Sequence, residues 1–249
     1  MFKLIRLEFQ KNNLTKYYIG TFFITILLLS LTYLFAYIPR LEGDSSLETA
    51  IIEALAPIFS SYGNIISLVL IISMICFSIY SSLVFSEFVL NDYIGKKFYL
   101  SLAYPIKKRT LYFAKIVTSI IVILSSTLLC NIGVFAIFYL TELRFQVVTD
   151  DIITSIIICD AMKLSLIFSI LSLAIGLISL RVGFIKKSIQ FSLTTSFVLS
   201  ILTSNFLGIS LLSNINLVNN VMMLTLITLA IAITFSFNYA NVINEMEAE

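Results

Sequence analysis

At 249 residues the chain has the length of one large or two small soluble domains, yet 59% of it is hydrophobic and only 12% charged. Soluble domains carry about 25% charge. With a mean hydropathy of +1.03 the chain lacks the polar surface to face water, so the composition predicts an all-α integral membrane protein. The net charge of +2 comes with no basic face on a soluble domain and no recognition module, which removes nucleic acid as a partner.

In chain order, the first element is a basic arm, MFKLIRLEFQKNNLTK, over residues 1–16. Phe2, Ile5 and Phe9 fall on one helical face, while Leu4 and Leu7 point elsewhere. The arm is expected to lie as an interfacial helix along the cytoplasmic leaflet, with Lys3, Arg6, Lys11 and Lys16 drawn to anionic headgroups. Residues 17–38 follow as a first span. The apolar region of a signal peptide is nearer 7–15 residues and ends at a small-x-small cleavage site; this run is longer, has no such site, and is read as retained. Residues 40–53 lean acidic (Glu42, Asp44, Glu48, Glu53), and Leu47, Ile51, Leu55 and Ile58 share a face, which predicts a short amphipathic helix at the outer surface.

A second span is expected over residues 62–86 and a third over 116–140, separated by a connector to which we return. A fourth, 152–180, is apolar apart from Asp160 and Lys163. From Ser188 to Asn244 no residue is charged, too long a stretch for one crossing. The cluster SNINLVNN (213–220) is turn material and divides it into spans 188–212 and 221–240. A helix crosses the hydrocarbon core with about 20 apolar residues, so six spans result. No segment is long enough for a separate soluble domain, and the chain reads as a single transmembrane domain.

Lys and Arg set the orientation. Thirteen of the 16 fall in the arm, in the connector between spans two and three, and in the predicted connector at 181–187. Arg40, Arg144 and Lys163 are the exceptions. An even number of spans then places both termini on the positive, cytoplasmic side. Cys76, Cys130 and Cys159 lie singly in apolar runs and read as small core residues.

The chain contains no histidine, which removes His-based catalysis, His metal sites and the HExxH helix. Gly95-Lys96-Lys97 resembles the end of a P-loop only faintly, because the upstream glycine and the following Ser or Thr are missing. No catalytic or metal-binding residue is expected, and no cofactor bound by this chain. Asp160 and Lys163 are three apart and share a helix face. They read either as a structural, interfacial pair with Lys163 snorkelling to the headgroups or as the ion-coupling pair of a self-contained carrier. Asn131, Thr194, Thr195 and Asn205 are candidates for polar positions along a transport path, although interhelical hydrogen bonding accounts for them equally well.

The connector over residues 87–115 is more ordered than a topology anchor requires. It holds, in sequence, Glu87, Gly95, the apolar Phe98, Tyr99, Leu100 and Leu102, then Tyr104 and Pro105, the basic Lys107, Lys108 and Arg109, and finally Lys115. This order resembles the ABC-2 type export permeases, the membrane subunits of ATP-driven exporters. Lys96 stands where the family commonly has Thr. The match covers about 30 residues in motif and the whole chain in topology. It implies that Gly95, Lys96, Lys97, Phe98, Tyr99, Leu100, Leu102, Tyr104 and Pro105 form a cytoplasmic coupling helix that docks into an ATPase subunit. That partner would bind ATP and Mg. A second permease chain, identical or paralogous, would complete the transporter. Permeases of this size with short outer loops look most like exporters of antimicrobial, toxin or amphipathic peptides, such as bacteriocin-immunity transporters and exporters of phenol-soluble modulins. A composition rich in Ile, Leu, Lys, Asn and Ser suits a low-GC Gram-positive bacterium.

Overall fold

The computed structural model describes residues 2–11, 14–38, 59, 61–93, 108–145, 155–212 and 217–248. These are helical almost throughout, with no strand among the described residues. We number the helices α1 (Phe2–Lys11), α2 (Leu14–Tyr37), α3 (Tyr62–Phe85), α4 (Lys108–Phe145), α5 (Ser155–Lys186), α6 (Ile189–Leu212) and α7 (Leu217–Ala248). Beyond Phe85, α3 runs on through a π-helical segment, Ser86–Leu90, and a last turn, Asn91–Tyr93. The six helices α2 to α7 are each long and apolar enough to cross a membrane. The chain is an all-α, six-span membrane protein.

The helices overrun the predicted spans. α4 begins at Lys108, eight residues before the expected start at 116, and α5 continues to Lys186. The 181–187 segment is therefore mostly helix rather than a connector. At about 1.5 Å per residue, the 38 residues of α4 reach about 57 Å, well beyond an apolar core of about 30 Å. Apolar runs report the thickness of the core, whereas a helix stops where its backbone is capped. α6 and α7 separate within the expected polar cluster, but Leu217–Asn220 already belong to α7. The amphipathic segment expected around Leu47, Ile51, Leu55 and Ile58 lies outside the described residues.

α5 and α6 are joined by a two-residue turn. The Lys187 N–H donates to the Phe184 carbonyl (3.3 Å) and the Ser188 N–H to the Gly183 carbonyl (3.1 Å). This Schellman pairing satisfies the last carbonyls of α5 and requires a left-handed residue; Lys187 has φ of 48°. Ser61 caps the start of α3, its hydroxyl accepting from the Asn64 N–H.

α3 and α5 form the centre of the bundle. Their membrane-crossing stretches are each 67% buried, against 39% for α4 and less for the other three. Small residues permit the close approach on which helix association in lipid depends. A Cβ on Gly176 would stand 2.2 Å from the Ser81 Oγ and 2.8 Å from its Cβ. The Ser81 hydroxyl donates across to the Ser172 carbonyl (3.0 Å), and Ser82 and Ser192 hydroxyls meet at 3.0 Å. Elsewhere buried hydroxyls bond back to their own helix, as in Ser78 to the Met74 carbonyl and Ser179 to the Gly176 carbonyl. These bonds satisfy the hydroxyls within the bundle. Around this centre pack Ile65, Phe77, Val84, Phe85, Ile123 and Leu180 on one side, and Leu70, Met74, Phe168, Leu171 and Leu207 on the other.

Candidate functional site

The first two turns of α4 meet elements from most of the chain. Lys115, on the second turn, is only 2% exposed. Its ammonium donates to the Asp92 carboxylate and lies 3.8 Å from a Glu8 oxygen. Asp92 ends α3, and Glu8 belongs to α1. A buried ammonium is tolerated only where counter-charges replace water, and here two separate elements supply them. One turn earlier, Tyr112 packs on Phe184 of α5, and Arg109 lies over the Phe113 ring, which itself packs on Phe237 of α7.

The π-helical segment is what aims the carboxylates. Its backbone pairs residues five apart, the Asn91 N–H reaching the Ser86 carbonyl, so Glu87 and Asp92 come into rough register. Both side chains face the α2–α4 pair. Glu87 accepts from the Tyr17 hydroxyl of α2, whose ring packs on Phe88 at 5.3 Å. Tyr80 continues the contact, its hydroxyl within 3.2 Å of Ser126 on α4. α1 is held against α4, with Leu4, Ile5, Glu8 and Phe9 half-buried and Arg6, Leu7 and Gln10 exposed. The result is a charged, aromatic junction that fastens the arm, the end of α3 and the start of α4 together, on both sides of residues 94–107.

A second, smaller polar contact closes the opposite end. Glu142 sits within α4, is 3% exposed, and accepts from the Tyr62 hydroxyl at the start of α3. Tyr33 of α2 reaches the Thr141 hydroxyl at 2.8 Å. Glu142 lies beyond the expected end of the third span at residue 140; the helix carries on through it to Phe145.

The predicted docking residues, Gly95, Lys96, Lys97, Phe98, Tyr99, Leu100, Leu102, Tyr104 and Pro105, lie outside the described residues. Asp160 and Lys163 do pair, at 3.1 Å, on an exposed face of α5 close to its start. They point away from the bundle rather than into it. Asn131 is buried in α4. By contrast Thr194 and Asn205 are exposed on α6, and Thr194, Thr195 and Asn205 hydrogen-bond to carbonyls of their own helix. Among the cysteines, Cys130 is buried and accepts from the Thr25 hydroxyl, whereas Cys159, expected in the core, is exposed.

The Lys115 cluster was half-visible in the sequence. Glu87 and Lys115 stood out as parts of the ordered connector, but Asp92 and Glu8 did not. The available signal was the demand that a lysine at the mouth of an apolar span have a counter-charge. No family model, curated protein or solved structure matches the chain.

Proposed function

We propose that this chain is the membrane-spanning permease subunit of an ATP-driven exporter, working with a separate ATPase subunit and a second permease chain to move amphipathic peptides out of the cell or its membrane. The observation that carries the reading is the Lys115 junction. It flanks the connector that resembles a coupling helix, and it makes α1, the end of α3 and the start of α4 respond as a unit. Removing one member of a buried ion pair costs about 3–5 kcal/mol. A push on residues 94–107 therefore moves the attached helices before it breaks the junction. The central α3–α5 contact then passes that movement to the rest of the bundle. The basic end, with its cationic arm and connector, faces the cytoplasm by the positive-inside rule, where an ATPase and ATP are available.

The test is co-expression with candidate ABC ATPase subunits from the same genome, followed by purification. A stoichiometric complex whose ATP hydrolysis rises with amphipathic peptide supports the proposal. Leu100→Asp is expected to abolish the complex while leaving membrane insertion intact. A chain that transports in liposomes without ATP, and stops after Asp160→Asn, would instead make this an ion-coupled carrier.

A further inference from the structure

At the end of the bundle remote from Lys115, helices α3, α4 and α5 leave a cleft of about 230 Å³. Its walls include Ile66, Phe135, Ala136, Tyr139, Ala161 and Met162. The space exists because alanines, Ala136 on α4 and Ala161 on α5, stand where larger side chains would meet. Tyr62 closes one end, its ring edge-on to Phe138 at 6.3 Å and its hydroxyl committed to Glu142. Ile132, Ile158 and Met162, which also line the cleft, are more than 40% exposed. All three belong to membrane-crossing stretches, so the mouth opens sideways into the apolar phase.

That placement decides what fills it. A trapped water needs two to four polar partners, and these walls offer almost none. An empty apolar hollow forfeits the contacts of its lining atoms, since protein interiors pack to crystal density. Transfer of a hydrocarbon from bilayer to cleft gains nothing from the hydrophobic effect, because lipid tails are as apolar as the walls. The driving term is void filling, which a thin, flexible chain achieves and a bulky one does not. We infer that the cleft is a lipid site, holding one acyl chain of a membrane phospholipid from the leaflet opposite the basic end. The inference is independent of the transport reading.

The experiment uses the full chain in mild detergent with phosphatidylglycerol bearing a diazirine on one acyl chain, irradiated and then mapped by peptide mass spectrometry. Adducts are expected on Ile158, Met162 and Tyr139, on the order of tenfold above those on Phe206 of α6 and Ile227 of α7, which are exposed on other helices. Ala161→Phe and Ala136→Phe should remove the enrichment while leaving the thermal midpoint unchanged or raised. Should either fail to fold, Met162→Trp blocks the mouth instead. Even labelling over the three helices, or enrichment that survives the blocking substitutions, overturns the inference. So does displacement of the label by an equimolar amphipathic peptide but not by plain phospholipid, which would make the cleft a peptide site.

Discussion

Lys115 keeps its charge out of water because Asp92 and Glu8 stand in for the solvent, and the two carboxylates depend on it in turn. Lys115→Met should therefore destabilise the protein by about 3 kcal/mol, read as a lowered unfolding midpoint in detergent. The double variant Lys115→Met with Asp92→Leu should recover part of that loss, because it also removes the carboxylate that faced the lost ammonium. A loss in the double variant equal to the sum of the losses in Lys115→Met and Asp92→Leu alone would mean that the pair is not coupled. Ser86 makes the opposite case. Its hydroxyl is fully buried and has no hydrogen-bond partner among the described residues, so Ser86→Ala should be neutral or slightly stabilising. A loss above about 1 kcal/mol would reveal a partner, detectable in the same melting experiment. Residues of this kind were poorly legible in the sequence. Lys115 was noticed, but its partner Glu8 lies more than a hundred positions away on an arm read only as an anchor.

Among the helices, close contact and backbone geometry make separable predictions. Gly176 touches Ser81, so Gly176→Ala forces α3 and α5 apart and should cost roughly 1–3 kcal/mol. Gly208 on α6 has nothing within 4 Å of an added Cβ, and Gly208→Ala should stabilise by roughly 0.5–1 kcal/mol through helix propensity. The two alanine variants compared in one detergent would give opposite signs. Lys187 holds a left-handed φ at the α5–α6 turn; Lys187→Gly keeps the turn and relieves its steric cost, about 1 kcal/mol, which thermal unfolding again reports. The number of crossings was legible because charge-free runs track the apolar core. Helix ends were not, since Lys108, Arg181 and Lys186 look like loop residues by charge while their backbones remain in helical turns. Nor could apolar periodicity announce the π-helical segment, which changes the register of only five residues.

At the scale of the molecule, a six-span bundle is centred on α3 and α5, and the elements beside residues 94–107 are fastened to one another. The sequence of residue types in the connector exceeds what a topology anchor requires, which is why we propose the ATPase reading over a carrier built on Asp160 and Lys163. That pair was legible as a pair; its outward direction was not, because helical spacing gives neighbours without giving the side the bundle occupies. The most direct measurement is peptide-stimulated ATP hydrolysis by the chain purified with a co-expressed ABC ATPase subunit, comparing wild type with Lys115→Met. The account predicts a complex in both, with stimulation by peptide in the wild type and basal hydrolysis without stimulation in the variant. Failure of the wild-type chain to form any complex with the ATPase, or full stimulation in Lys115→Met, would contradict it.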